Sequence, residues 1–283
     1  MTAGIISGLD GVRKLASFLE RFPNLLLLTG AGMSTASGIP DYRDREGVRR
    51  GKAPMQGPDF RRSDAVRKWY WSRSMAGWPA VAQAQPNAGH RAIAEMEARG
   101  NIAAIVTQNV DGLHQRAGSV NILELHGNIG AVVCLECGAH FPRGSIQFVL
   151  TQANPNLAGR MTVTAPDGDA HLGAASLIDF QLPYCAHCAG MLQPDVVFFG
   201  DVVPRWRTED AEKKLADADA LLVVGSSLMV YSGYRLCKTA AALGKPIAAI
   251  NLGKTRADHL MVIKLEALVE HALPLLARFL NAP

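Results

Sequence analysis

The run Leu25-Leu26-Leu27-Leu28-Thr29, leading straight into Gly30-Ala31-Gly32-Met33-Ser34, constrains this chain more than any other segment. A short apolar run without polar alternation suits a strand covered on both faces, as in a parallel sheet. A glycine turn placed directly after such a strand, before a helix, exposes backbone N–H groups to a phosphate. Ile102 to Thr107, Ala220 to Val224 and Pro246 to Ile250 are similar runs, separated by stretches of helical character. Val12, Leu15, Ala16 and Leu19 share one face of a helix expected over Val12 to Phe22, which Pro23-Asn24 ends. A last strand is expected near Val262-Ile263, and a closing helix over Leu268 to Leu280. This alternation predicts an α/β fold built on a parallel sheet.

Two stretches interrupt the pattern. Arg45 to Pro86 is basic and aromatic, with Trp69, Tyr70, Trp71 and Trp78 close together, and reads as a helical excursion. The second, about Ala131 to Leu192, starts and ends near two Cys-x-x-Cys pairs. Its middle, Thr151 to Pro183, is rich in Ala, Gly, Pro and Asp and reads as a long loop, a kind of segment that is usually functional or mobile. The expected organisation is a Rossmann-like domain over 1–130 and 193–283, with helices on both faces and the excursion at about 45–86. A small metal-binding domain is expected over 131–192. The 283 residues suffice for one large domain or a large plus a small one.

Composition excludes several classes. With 48% hydrophobic and 19% charged residues, this is not a disordered chain. A formal net charge of +4 is too weak to indicate nucleic acid, and none is expected as a partner. The charge is uneven: Arg43 to Arg73 holds ten Lys/Arg and four Asp/Glu, a local +6. That stretch is either a solvated helical face or a basic rim for an acidic ligand. No segment resembles a signal peptide, and the apolar run Leu25 to Leu28 falls far short of the roughly 20 residues a bilayer span needs. A soluble, intracellular protein is expected, with no membrane partner.

Four of the five cysteines form Cys134-x-x-Cys137 and Cys185-x-x-Cys188. Two such knuckles supply four thiolates in tetrahedral geometry to one zinc ion. The 47 residues between the pairs exceed the usual spacing of roughly 15–20, and the intervening chain must loop out. Four thiolates leave no open coordination position, so the metal is expected to be structural. A redox role would explain one pair and not two. Cys237 lies in a helix-like stretch and reads as a small core residue.

In open parallel sheets, ligands bind outside the carboxyl ends of strands. Gly225-Ser226-Ser227 and Asn251-Leu252-Gly253 each follow an apolar run, so with Gly30-Ala31-Gly32 they could line one crevice. Ser hydroxyls suit phosphate and Asn251 suits a ribose hydroxyl. The spacing is not a strict dinucleotide fingerprint, since position 35 is Thr35 and the next glycine is Gly38; an ordinary turn stays open. Gln108-Asn109-Val110-Asp111 follows the run Ile102 to Thr107 and presents amides and a carboxylate at the same end, unless Asn109 or Asp111 caps the next helix. His126 lies in Leu123-Glu124-Leu125-His126-Gly127, which looks extended until Gly127 breaks it. An imidazole titrating near neutrality suits a general base, although a lone histidine is more often a packed residue.

Taken together, these motifs resemble the sirtuin family of NAD-dependent protein-lysine deacylases along nearly the whole chain. Gly30-Ala31-Gly32-Met33-Ser34 through Gly38-Ile39-Pro40-Asp41-Tyr42-Arg43 is similar to the family's cofactor-binding loop. Thr107 to Asp111, His126-Gly127, the Cys pairs, Gly225-Ser226-Ser227 and Asn251-Leu252-Gly253 follow in the family's order. Gly77-Trp78-Pro79, Pro142-Arg143-Gly144, Ala165-Pro166-Asp167-Gly168-Asp169, Pro194 to Asp201, Val230 to Arg235 and the long insert resemble its class II, mitochondrial-type branch. Nothing resembles a transit peptide, so a bacterial cytoplasmic protein is expected.

The resemblance implies NAD as co-substrate, one structural zinc on Cys134, Cys137, Cys185 and Cys188, and acyl-lysine peptides or proteins as partners; the oligomeric state is not legible in the sequence, and a monomer is the working expectation. It implies that the acyl oxygen attacks the ribose carbon bearing nicotinamide. The acyl group then passes to ADP-ribose, with nicotinamide released. His126 would be the base on ribose hydroxyls, and Asn109 and Asp111 would position the ribose and carboxamide. Gly30, Ala31, Gly32, Ser34, Thr35, Asp41, Tyr42, Arg43, Gln108, Gly225, Ser226, Ser227, Asn251, Leu252, Gly253 and Val269 would contact the cofactor. The peptide would add as a strand between Val197-Phe198-Phe199-Gly200 and Val230-Tyr231-Ser232. Tyr70 and Arg73 sit three apart on an expected helix and resemble the pair that binds acidic acyl chains in desuccinylating relatives; both could equally belong to the basic helical face. Longer or carboxylated acyl groups are therefore expected to be preferred over acetyl. Protein ADP-ribosyl transfer and a catalytically silent NAD sensor are the competing readings.

Overall fold

The computed structural model describes residues 4–50, 54–157, 177 and 179–280. Strand β1 (Gly4–Ile6), helix α1 (Gly8–Leu19) and strand β2 (Leu25–Thr29) open the chain. The excursion holds α2 (Gly57–Arg62) and α3 (Asp64–Gln83). There follow α4 (Ala88–Ala98), β3 (Ile102–Thr107), α5 (Leu113–Ala117), β4 (Ile122–Glu124), β5 (Gly127–Cys134), β6 (His140–Pro142) and α6 (Arg143–Ala153). After the long insert come β7 (Leu192–Val196), α7 (Arg205–Asp217), β8 (Ala220–Val224), α8 (Tyr231–Ala242), β9 (Ile247–Ile250), β10 (Ile263–Leu265) and α9 (Val269–Leu280).

Among the described residues, seven strands form one parallel sheet in the order β1-β10-β9-β8-β2-β3-β4. The apolar runs become its centre because each is covered on both faces. Leu25, Leu27, Leu222, Val224, Ala248 and Ile250 point into a core with α1, α4 and α9. Their neighbours Leu26, Leu28, Leu221, Val223, Ile247 and Ala249 point into a second core with α7 and α8. Alternation along a strand thus feeds two layers, which is why no polar face interrupts β2. Helix α1 buries Val12, Leu15, Ala16 and Leu19 as its spacing predicts, starting at Gly8 and ending at Leu19.

The sheet runs outward from β2 in both directions, through β3 and β4 on one side and β8, β9 and β10 on the other. A crevice opens at such a switch point, beyond the carboxyl ends of the strands. Thr29, Thr107 and Val224 end three adjacent strands there.

A three-stranded antiparallel sheet, β6-β5-β7, carries the cysteines at one end. Its core is shared with the excursion. Phe60, Tyr70, Trp71 and Met75 of α2 and α3 pack with Val132, Ile146, Leu150 and Leu192. The excursion is helical as expected, but its aromatics cover the small sheet. The expected loop from Thr151 begins later than its composition suggests: α6 runs to Ala153 and a 3₁₀ turn spans Pro155–Leu157. Most of the insert, including Ala165 to Asp169, lies outside the described residues. No helix among the described residues is long and apolar enough to cross a membrane.

Candidate functional site

One cavity of about 880 Å³ lies at the switch point and collects nearly every residue singled out from the sequence. The turn after β2 lines it from Gly30 to Thr35, the turn after β3 with Gln108, Asn109 and Asp111, and the turn after β8 with Gly225, Ser226 and Ser227. Asn251, Leu252, Val269, Asp41, Tyr42 and Arg43 also line it. Gly253 and Arg73 are outside its lining.

The glycine turn differs from the expected strand-turn-helix. Two 3₁₀ turns, Ala31–Met33 and Thr35–Ser37, follow β2, and the next α-helix begins only at Gly57. The N–H groups of Gly30 and Gly32 donate to the carbonyls of Val224 and Gly225, at 3.1 and 2.8 Å. A Cβ on Gly32 would lie 2.9 Å from the Gly225 carbonyl oxygen. Glycine is needed because two strand-end turns press against each other, so these two amides brace the floor and do not face a phosphate. Positive charge comes from side chains instead: Arg43, Arg45, Arg49 and Arg50 all line the cavity. The loop carrying them is fastened by Lys254, which pairs with Glu46 and donates its N–H to the Arg45 carbonyl at 2.7 Å. Gly253, with φ of +82°, lies under that loop, where a Cβ would strike the Arg45 backbone.

Three polar side chains converge between the first two turns. Ser34 Oγ donates to Asp111 Oδ2 at 2.7 Å, and Asn109 Nδ2 donates to Ser34 Oγ at 3.1 Å. The other Asp111 oxygen accepts from the Leu113 N–H at 2.9 Å. Asp111 therefore both holds the start of α5 and faces the cavity, so the capping and ligand readings are compatible. Burial raises its carboxyl above the ordinary 3.8, while the Ser34 and Leu113 hydrogen bonds pull the other way.

His126 sits where the chain leaves the parallel sheet for the antiparallel one. Leu125 N–H donates to the Thr107 carbonyl at 2.9 Å, and Val197 N–H donates to the His126 carbonyl at 2.8 Å. Gly127 makes this crossing possible, with φ of +87° and the Asp195 carbonyl pressed where a Cβ would be. The imidazole Nδ1 lies 2.9 Å from the Gln108 carbonyl oxygen, which only a protonated nitrogen can satisfy. Nε2 is thereby left as the basic nitrogen, 2.7 Å from Ser232 Oγ. Burial holds the imidazole below its ordinary 6.5, the Gln108 carbonyl opposes this, and the charge of Arg207 adds to the lowering. Ser232 was expected in the peptide wall and not as a partner of His126: a serine in the first turn of a helix carries no sequence signal for contact with a histidine 106 positions away.

Both segments expected as peptide walls, Val197 to Gly200 and Val230-Tyr231, line the cavity. The second wall is extended only to Val230, because Tyr231 and Ser232 begin α8. On the first wall, the Phe199 carbonyl already accepts from the Gly57 N–H at 2.9 Å. Tyr70 and Arg73 part company despite their helical spacing. Tyr70 lines the cavity, edge-on to Phe60 and Phe198, whereas the Arg73 guanidinium lies over the Trp69 ring at 4.1 Å. Arg49 is the cation at that wall, 5.1 Å from the Phe199 ring centroid.

The four cysteine sulfurs lie within 4.8 Å of one another, with Cys134 and Cys188 3.5 Å apart and Cys137 and Cys185 3.7 Å apart. A zinc ion with bonds of about 2.3 Å sits in a sulfur tetrahedron with edges of about 3.8 Å, so the cluster has the dimensions of a closed structural site. These four thiolates would hold one zinc ion at the end of β5, away from the cavity. Cys237 is fully buried on the core face of α8, as expected.

The Sir2 family model matches residues 30–232. The chain is 50% identical over 269 residues to an NAD-dependent protein deacetylase of Xanthomonas axonopodis pv. citri, covering 95% of this chain and 90% of that protein. It is 49% identical over 258 residues to an NAD-dependent protein deacetylase of Bordetella bronchiseptica, covering 91% and 94%. A solved complex of a Sir2 homologue with NAD superposes with a TM-score of 0.74 at 28% identity, covering 99% of this chain and 97% of that one. A complex of Sir2 with a p53 peptide and NAD+ gives 0.72 at 28% identity, covering 92% and 94%. With that match and near-complete coverage of relatives half identical to it, the chain belongs to the Sir2 family.

Proposed function

We propose that this protein is an NAD-dependent protein-lysine deacylase that passes the acyl group to ADP-ribose and releases nicotinamide. The observation that carries this reading is His126. Its Nδ1–H is tied to the Gln108 carbonyl, so a neutral Nε2 faces the cavity that also holds the Ser34, Asn109 and Asp111 cluster. Bound NAD would supply the ribose carbon from which nicotinamide leaves. Asn109 and Asp111 would orient the nicotinamide end, and Arg43 would neutralise phosphate charge at the opening. His126 would take a proton from a ribose hydroxyl, its lowered basicity keeping Nε2 unprotonated at neutral pH. The fixed hydrogen bonds of this cluster leave little reorganisation to the reacting complex. The acyl-lysine would enter between Phe199 and Tyr231, and Cys134, Cys137, Cys185 and Cys188 would hold the structural zinc.

The finer part of the proposal concerns the acyl group. Tyr70 in the lining and Arg49 against Phe199 support longer or carboxylated acyl chains over acetyl, with Arg49 in the role expected of Arg73. Chromatographic measurement of nicotinamide release with and without acyl-peptide tests the activity. Release that requires the peptide supports deacylation, release without it indicates ADP-ribosyl transfer or NAD hydrolysis, and no release indicates a silent sensor. A panel of acetyl, succinyl, glutaryl and lipoyl peptides tests the preference; strong acetyl preference would refute it.

A further inference from the structure

The basic nitrogen of His126 does not face open space. Ser232 Oγ lies 2.7 Å from Nε2, where a substrate hydroxyl would have to come to lose its proton directly. Since Nδ1 carries the proton given to the Gln108 carbonyl, Nε2 is the acceptor and Ser232 the donor of this bond. Ser232 itself lines the cavity.

The contact is built in by its surroundings. Ser232 and Gly233 occupy the first turn of α8. A Cβ on Gly233 would lie 2.6 Å from Gln108 Oε1, so the glycine lets this turn press against the residue whose carbonyl orients His126. The Gln108 side chain is fixed in turn, with Nε2 donating to Ser226 Oγ at 2.8 Å and to the Thr29 carbonyl at 3.3 Å. Gln108 is thus held by Ser226 through its side chain and holds His126 through its backbone carbonyl, which fixes the ring against Ser232.

We propose that Ser232 is a proton relay and that the working base is the Ser232–His126 dyad. This rests on the deacylase reading above. In the relay, the O–H bond of a ribose hydroxyl breaks and its proton passes to Ser232 Oγ, while the proton of Ser232 passes to His126 Nε2. The net change is one proton moved from the ribose hydroxyl to the imidazole, with serine regenerated. The imidazolium then has both donors satisfied, Nδ1–H by the Gln108 carbonyl and Nε2–H by Ser232 Oγ. A hydroxyl can serve at both stages because it donates and accepts.

The test compares wild type with Ser232→Ala and Ser232→Thr in two steps of one reaction. Exchange of labelled nicotinamide into NAD, with acyl-peptide present, reports the first step, which needs no base. Formation of deacylated peptide reports the step that does. The relay predicts that Ser232→Ala keeps exchange while deacylation falls by about 10²-fold or more, the lower range for loss of a proton-transfer group, and that Ser232→Thr restores most of it. In the cofactor-free protein, ¹⁵N spectra of the His126 ring should show Nε2 moving downfield in Ser232→Ala, toward an unbonded basic nitrogen, and back in Ser232→Thr. Wild-type deacylation by Ser232→Ala would overturn the relay, because the hydroxyl would then be a cap that the substrate displaces. An equal fall in exchange and deacylation would overturn it in favour of a structural role. Absence of peptide-dependent exchange in wild type would instead sink the deacylase reading, and the relay with it.

Discussion

Ser34 Oγ donates a 2.7 Å hydrogen bond to Asp111 Oδ2, joining the turn after β2 to the turn after β3 across 77 positions of sequence. The bond favours the charged form of a carboxyl that burial otherwise pushes upward. Ser34→Ala should therefore raise the Asp111 pKa further and weaken NAD binding, with the loss growing as pH falls. Calorimetric titration of NAD at two pH values, with Asp111→Asn as the companion variant, checks this. Unchanged affinity in Ser34→Ala at the lower pH would refute the coupling.

His126→Ala should fold normally and lose deacylation by about 10²–10⁴-fold, the usual contribution of a positioned general base. Its neighbours also predict the pH profile. A base whose pKa lies below the ordinary 6.5 stays neutral further into acid, so kcat/KM should begin to fall only below that value. Thermal melting and a pH–rate series are the measurements, and normal turnover by the variant would remove His126 from its role.

His90 and His114 stack edge to face at 5.0 Å beneath this site, both buried. Burial lowers His90 to about 3 and His114 to about 4, and the charges of His114 and Arg91 add to the lowering of His90. An unfolded chain takes up these protons near 6.5, before the folded one does. Stability should be intact above that value and lost as pH falls toward 4 and then 3, by roughly 3 kcal/mol for His114 alone, at 1.36 kcal/mol per unit. Urea midpoints from pH 7 to pH 4 in wild type and in His114→Gln measure the difference. An equally steep acid loss in the variant would show that other groups drive it.

Metal removal should act on the small sheet. Purified protein is expected to carry one zinc per chain, and chelation should lower the melting temperature because β5 and β7 then lose the bond that closes their ends. Cys185→Ser should reproduce the effect. Elemental analysis giving less than one zinc per chain, in protein prepared without chelator, would count against the site.

Arg49 and Arg73 separate two accounts of acyl choice. Arg49→Gln should lower succinyl turnover relative to acetyl turnover, since Arg49 lines the cavity beside Phe199. Arg73→Gln should reduce stability through its contact with Trp69 and leave that ratio unchanged. A ratio that collapses in Arg73→Gln alone would return the role to Arg73.

Much of this is legible in the sequence. Leu25–Thr29, Ile102–Thr107 and Ala220–Val224 are strands with the bounds that their apolar runs predict, because a strand covered on both faces writes its whole length as hydrophobic residues. The Cys pairs were readable for a similar reason, since metal chemistry fixes the residue type. Elements whose identity depends on a partner were not. Tyr231 and Ser232 looked continuous with an extended wall and form the first turn of α8. The excursion was visible as helical, but not as the roof of the cysteine-bearing sheet.

Sequence alone determined the parallel sheet, the strand-end turns that line the crevice, the thiolate set and the presence of a histidine suited to act as a base, because each is written in local composition and spacing. Tertiary structure decided which nitrogen of His126 is basic, that Ser232 sits on it, that the amides of Gly30 and Gly32 brace a neighbouring turn, and that Tyr70 faces the cavity while Arg73 does not. Those facts depend on hydrogen bonds and contacts between segments brought together only by folding. Side-chain direction and proton position follow from the partner across the gap, and no local pattern records it.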